Sequence, residues 1–250
     1  MDVRGNTILI TGGSNGIGLA LAERFLRKDN NVIICGRREE KLKAARERFP
    51  GLHIRPCDVA DEAQRIALRD WAVKEFPGLN VLVNNAGIQQ RIDLKDQNPD
   101  WADYKLELAI NLEAPLHLSK LFLPHLLKQP RPVIINVSSG LAFMPPVWAP
   151  VYGAAKAGLH SFTFGLRRQL AEAGLTVIEI IPPAVNTDLG GPGQHTFGAP
   201  VDEFADEVFR GLENGQAEVG FGDKHLSSTR LPRGELEGNA VKIWEQRRGG

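Results

Sequence analysis

The chain has little of what would place it outside the cell or in a membrane. Its 250 residues include only two cysteines, Cys35 and Cys57, too few for a disulfide-stapled fold. Both fall at the ends of apolar runs that read as strands, where a thiol packs as a small buried core residue in a reducing compartment. There is no excess of charge: 30 Lys and Arg balance 30 Asp and Glu. Nothing electrostatic therefore favours nucleic acid or an anionic membrane as a partner. No apolar run approaches the roughly 20 residues that a bilayer requires. The N-terminus, MDVRGNTILIT, carries charges where a signal peptide needs an unbroken apolar core, so the expected location is cytoplasmic. The six histidines, at positions 53, 117, 125, 160, 195 and 225, show no metal-ligand spacing, and no metal is expected. No linker, internal repeat or second domain is visible.

What is present is a regular alternation of two patterns. Short β-branched runs near 7–11, 31–36, 53–57, 79–84, 132–138, 175–181 and 217–220 read as strands. Stretches with apolar residues at helical spacing lie near 17–28, 38–48, 62–76, 99–127, 151–173 and 202–214, with a break expected from Asn111 to Pro115. Repeated β-α units imply one α/β domain: a Rossmann-type, doubly wound parallel sheet of about seven strands with helices on both faces. The strands are continuously apolar, as expected when both faces are covered. Residues 1–222 form the expected dinucleotide-binding and catalytic domain. Residues 223–250 form a C-terminal tail whose packing the pattern leaves open, with a short helix expected at 239–248.

Two motifs carry chemistry. The first strand runs into GGSNGIG, residues 12–18, and then into a helix. Strand, glycine turn and helix form the context of a dinucleotide site. Gly12 permits the tight turn, Gly16 lets the backbone approach a pyrophosphate, and Gly18 allows close packing of the helix. The N–H groups and dipole at the helix start favour the anion. The second motif is Tyr152-x-x-x-Lys156 inside a predicted helix, which stacks both side chains on one face. A cation near a phenol is expected to lower its pKa and fit it for proton transfer to an oxygen. Ser139, thirteen residues upstream, can hydrogen-bond the same oxygen.

The ordered set Thr11-Gly12-x-x-x-Gly16-x-Gly18, Asn84-Asn85-Ala86-Gly87, Asn111 and Ser139…Tyr152-x-x-x-Lys156 resembles the short-chain dehydrogenase/reductase family over roughly residues 5–220. The wording around the sites (NNAGIQQ, NVSSGLAF, PPAVNTDLGGPG) is similar to its bacterial DltE-like subgroup. The resemblance implies a catalytic set of Asn111, Ser139, Tyr152 and Lys156, with Asn111 holding a water in a proton relay from Lys156. Ser138 is the neighbouring alternative to Ser139, and the family's usual spacing selects Ser139. A nicotinamide cofactor is implied, contacted by Gly12, Ser14, Asn15, Gly16, Ile17, Gly18, Arg37, Arg38, Asp58, Val59, Asn85, Ala86, Gly87, Tyr152, Lys156, Pro182, Val185 and Thr187.

The cofactor expected is NADP(H). Where an NAD-selective site carries an acid about 20 positions after the glycine motif, this chain has Gly36 followed by Arg37 and Arg38, guanidinium groups suited to a 2′-phosphate. The competing reading pairs these arginines with Glu39 or Glu40. Leu141, Met144, Trp148 and Leu189 are candidate walls of a partly apolar substrate pocket. The Gly/Pro-rich segment within 188–200 is the candidate substrate lid, in which His195 is the histidine that approaches substrate. The family's Pro-Gly after the sixth strand is replaced by Pro182-Pro183, which puts the contacts of Val185 and Thr187 in question.

The expected activity is hydride transfer between NADP(H) and a small-molecule carbonyl or secondary alcohol. The alternatives are a catalytically idle NADP(H)-binding redox sensor or scaffold, and a 3-oxoacyl-carrier-protein reductase-like enzyme with a basic docking patch that could involve Arg91 or Lys95. The family's habit implies a homodimer or homotetramer formed through the long helices near 99–127 and 151–173.

Overall fold

The computed structural model describes residues 1–95 and 100–248. Seven strands, β1 (Thr7–Thr11), β2 (Asn31–Gly36), β3 (Leu52–Pro56), β4 (Leu79–Asn84), β5 (Val133–Val137), β6 (Thr176–Ile180) and β7 (Glu218–Val219), form one sheet in the order β3-β2-β1-β4-β5-β6-β7. Every pairing is parallel. Parallel neighbours require crossovers, and the chain supplies helices for them. They are α1 (Gly16–Arg27), α2 (Glu39–Arg48), α3 (Glu62–Glu75), α4 (Trp101–Leu108), α5 (Ala114–Leu126), α6 (Pro150–Leu170) and α7 (Val201–Glu213). Two further helices, α8 (Gly222–Ser228) and α9 (Arg233–Arg248), follow the last strand.

Alternate strand residues feed two cores. Ile8, Ile10, Val83 and Ile135 pack with Phe25 of α1 and Phe204 and Leu212 of α7. Leu9, Ile33, Leu82 and Ile134 pack on the other face with Leu68 of α3 and Phe122 of α5. Cys35 and Cys57 belong to this second core as free, buried thiols. The strand order reverses between β1 and β4, which opens a crevice at the carboxyl ends of the strands.

The expected break in the long helical stretch is real and has a defined form. A π-helical turn, Ala109–Glu113, separates α4 from α5 and carries Asn111. Residue 99, where the sequence pattern starts this stretch, lies outside the described residues. The C-terminal helix is longer than expected, beginning at Arg233 rather than at 239.

On the α6 side of the sheet, one row of side chains is polar. Asn84, Asn136, Glu179 and Glu218 are successive register partners across β4, β5, β6 and β7. Asn84 donates to Asn136 at 2.9 Å, and Asn136 donates to Thr163 of α6 at 2.9 Å.

Candidate active site

The glycine turn is shaped by contacts a side chain would destroy. Gly12 has φ +65°, and a Cβ there would lie 2.8 Å from Ala86 Cα. A Cβ on Gly18 would lie 2.4 Å from both the Gly12 carbonyl oxygen and Asn85 Nδ2. Gly18 therefore lets α1 close on the turn itself. Thr11 fixes the opposite side, its hydroxyl accepting from the N–H groups of Asn85 and Ala86 at 3.0 Å each. Asn85 donates its amide to Thr11 O and Gly12 O at 2.9 and 3.2 Å, so it lines the cavity while its amide braces the turn. The start of α1 has no acidic residue in its first turn and no side-chain cap, which leaves its N–H groups available to an anion.

The chemistry-bearing groups converge from three elements. Tyr152 and Lys156 share one face of α6, with Lys156 Nζ 5.8 Å from the centre of the Tyr152 ring. Lys156 Nζ donates to the Val137 carbonyl of β5 at 2.8 Å. Ser139 shares a hydrogen bond with Tyr152, and its Oγ also accepts from Leu141 N at 3.1 Å. Ser138 turns its hydroxyl to the Ile180 carbonyl at 3.4 Å, which ties it to β6. Both serines line the cavity.

The electrostatics differ from the sequence expectation. Burial pushes the Tyr152 hydroxyl up to about 12, against the pull of its Ser139 hydrogen bond and with a further push from the charge of Glu107. Burial pushes the Lys156 ammonium down to about 8, opposed by the charge of Glu179. The expected lowering of the phenol by its lysine is overridden because both groups are buried and Lys156 spends a hydrogen bond on Val137.

Asn111 is set one layer behind. It is fully buried and does not line the cavity; its amide accepts from Ile88 N at 3.0 Å and donates to Ile88 O at 2.7 Å. A Cβ on Gly87 would lie 3.0 Å from Asn111 Oδ1 and 3.8 Å from Lys156 Nζ, so both side chains lie beside that glycine.

One cavity of about 830 Å³ unites the remaining expected residues. Gly12, Ser14, Asn15, Gly16, Ile17, Gly18, Arg37, Arg38, Asp58 and Val59 line one end. Ser139, Tyr152, Lys156, Leu141, Met144, Trp148 and Leu189 line the other. Ala86, Gly87, Pro182, Val185 and Thr187 also border it, so Pro183 does not divert the backbone from the cavity. The Pro182 carbonyl accepts from Gly140 N at 2.9 Å. Arg37 and Arg38 are exposed and make no ion pair among the described residues; Glu39 pairs instead with Lys43 at 2.8 Å. Among the described residues no cluster of His, Cys, Asp or Glu could hold a metal. No helix there is long and apolar enough to cross a membrane.

The cavity roof is where the structure adds most. The candidate lid has turns at Gly190, Gly191 and Gly193, all with positive φ. Its base is clamped by Asn186 N to Ala199 O at 2.8 Å and Ala199 N to Ala184 O at 2.9 Å. His195 is buried and meets Gln89 Oε1 at 3.1 Å, and Asn15 donates to Asp188 at 3.0 Å. Beyond the lid, His225 of α8 and Leu236, Ala240 and Ile243 of α9 line the cavity, residues to which the sequence assigned no role. Positions 236, 240 and 243 do have helical spacing, and that was the available signal.

A family model described as short chain dehydrogenase matches residues 6–196. An uncharacterized oxidoreductase, DltE, of Bacillus subtilis (strain 168) is 48% identical over 224 residues, covering 88% of this chain and 89% of that protein. An uncharacterized oxidoreductase of Staphylococcus epidermidis is 30% identical over 188 residues, covering 75% of this chain and 81% of that protein. Among solved structures, a short chain dehydrogenase from Burkholderia cenocepacia in complex with NADP has TM-score 0.82 at 25% identity, covering 96% of this chain and 99% of that one. One from Burkholderia phymatum in complex with NAD has TM-score 0.82 at 20% identity, covering 94% and 95%, and supports the fold alone.

Proposed function

The chain belongs to the short-chain dehydrogenase family, in its DltE-like branch, and from that premise we propose that it moves a hydride between NADP(H) and a carbonyl or secondary alcohol. The observation that carries this reading is the convergence of Ser139, Tyr152 and Lys156 in the same cavity as a glycine cradle whose turn leaves no room for a Cβ at Gly12 or Gly18. That cradle fits a dinucleotide, which when bound supplies the hydride chemistry. The chain supplies placement and the proton. Tyr152 gives its proton to the substrate oxygen in reduction and takes it back in oxidation. Ser139 hydrogen-bonds that oxygen, and Lys156 holds the cofactor ribose. Asn111 holds the water that reloads Lys156, at a π-turn of the kind that marks functional sites.

Arg37 and Arg38 receive the 2′-phosphate, the role for which two unpaired, exposed guanidinium groups beside the cavity are suited. The apolar walls favour an apolar or aromatic substrate, with the 188–200 segment closing over it. Exposed Trp101 on α4 and Phe164 on α6 support assembly of copies through those helices. The 3-oxoacyl-carrier-protein reductase-like alternative would use the exposed Arg91, which lies over the Trp148 ring, and the exposed Lys95, which pairs with Asp93 at 3.6 Å. The enzyme works in the cytoplasm.

Turnover of a panel of ketones and aldehydes with each cofactor tests the proposal. NADPH is expected to be preferred, and Arg37→Ala to weaken NADPH about 10–100-fold while sparing NADH, as loss of a charge-assisted phosphate contact requires. Equal constants for the two cofactors would sink the NADP assignment. Tight NADPH binding with no turnover of any substrate would favour the idle sensor instead.

A further inference from the structure

We propose that Glu179 is a positioning residue for Lys156: a buried carboxylate of β6, anchored by His160, that holds the lysine in its cationic form. This rests on the reading of Lys156 as a working cation. The geometry is that of a cluster: Glu179 pairs directly with His160, and Lys156 lies one helical turn from His160 on the same face of α6. Glu179 is fully buried in the middle of the polar row, on the strand face that α6 covers. Its two carboxylate oxygens lie 3.1 and 2.9 Å from His160 Nδ1. His160 and Lys156 are one helical turn apart on α6, and Tyr152 is one turn earlier, so all three side chains share a face. Lys156 itself reaches Val137 O, on the strand beside Glu179's own. A buried carboxylate without partners would be costly, and so would a buried ammonium. Each lowers the cost of the other.

The surrounding charges leave Glu179 as the group that acts. From β5 the register partner is neutral Asn136. From β7 it is Glu218, already held by Arg230 at 2.9 Å and by Arg167 of α6 at 3.6 Å. Phe143 covers the outer face of His160, with ring centres 4.4 Å apart. Of the charged groups, Glu179 is the one that opposes the downward push of burial on Lys156. The same carboxylate raises His160, first through its hydrogen bond and then through its charge. His160 and Lys156 therefore compete for one negative charge. Below the His160 midpoint the imidazolium shares Glu179, and above it Lys156 has that charge to itself.

NMR titration of the Lys156 side-chain resonance and the His160 ring, in protein without added cofactor, tests this apart from activity. Glu179→Gln is expected to lower both midpoints together, each by about one unit or more, a tenfold change in protonation. In the unmodified protein the Lys156 resonance is expected to show a second inflection at the His160 midpoint, a readout that needs no variant to fold. A His160 midpoint that falls while Lys156 stays put, or a Lys156 trace without that inflection, would overturn the proposal. The pH profile of turnover then separates it from the site reading. Glu179→Gln should move the alkaline limb to lower pH by the same amount, whereas an active Lys156→Ala variant would remove Lys156 from the chemistry altogether.

Discussion

The floor and the roof of the cavity are built on opposite principles. The floor is the glycine turn, the strand ends and the Tyr152 face of α6. Its chemistry-bearing groups Ser139, Tyr152 and Lys156 are buried, and hydrogen bonds tie it to other elements, as Lys156 is tied to Val137 and Asn85 to Thr11. The roof is the 188–200 segment with α8 and α9. Its α9 side chains Leu236, Ala240 and Ile243 line the cavity and are each only half-buried. A floor of this kind holds atoms where proton transfer needs them. A roof of this kind shapes what enters and can move, because few buried contacts oppose its opening.

The largest difference is expected when a single floor atom is removed. Tyr152→Phe deletes one oxygen and leaves the ring in place on α6. Turnover should fall by about 10²–10⁴-fold, the range of a general acid–base group, while NADPH affinity stays nearly constant. Stability should hardly change, since the buried hydroxyl's partner within the protein is Ser139, which keeps Leu141 N. Steady-state kinetics beside a cofactor titration checks this, and more than about a tenth of the activity remaining would remove Tyr152 as the proton donor.

A smaller effect is expected at the roof. Ending the chain before Arg233 removes α9 and three half-buried apolar side chains from the cavity wall. Loss of about 1 kcal/mol of apolar contact with the substrate, the worth of one half-buried aliphatic side chain, should raise KM for an apolar substrate roughly fivefold. Tm should fall by no more than about 3 °C, because the sheet and its two cores are untouched. A truncated protein that unfolds many degrees lower, or one that loses NADPH binding, would show that α9 belongs to the floor.

The same contrast explains what could be read from the sequence. Floor residues are constrained by spacing: a glycine at 18 because of the Gly12 carbonyl, a lysine at 156 because it shares a face with 152. Such constraints leave marks in one dimension. The roof's stripe at 236, 240 and 243 sits among charged residues on a helix that is mostly exposed, so its weak periodicity did not show which surface it would meet. Glu107 and Glu179 were invisible for another reason. Each stands among apolar neighbours, in YKLELAI and TVIEII, and only the packing shows that its carboxylate points inward. The expected lowering of the Tyr152 hydroxyl failed likewise, because burial is a property of the fold and not of the spacing.

Glu107 offers the finest test of how rigid the floor is. It lies at the end of α4, fully buried, with one oxygen accepting from Gln90 N at 2.9 Å and the other without a hydrogen-bond partner. No ion pair reaches it among the described residues, and burial raises its carboxyl to about 7. A carboxyl raised on folding binds its proton more tightly in the native state. Its contribution to stability is therefore complete below the ordinary value near 4.5 and is lost as pH rises through about 7. Glu107→Gln keeps an acceptor for Gln90 N and cannot ionise. At pH 4 the two proteins should melt within about a degree of each other, since position 107 is then largely uncharged in both the folded and the unfolded chain. At pH 8 the Gln variant should be more stable by on the order of 2 kcal/mol, or several degrees in Tm, because the unmodified protein must then bury an unpaired carboxylate. A difference in Tm that stays constant from pH 4 to pH 8 would mean that water reaches Glu107, and that the floor beneath Tyr152 opens as readily as the roof above it.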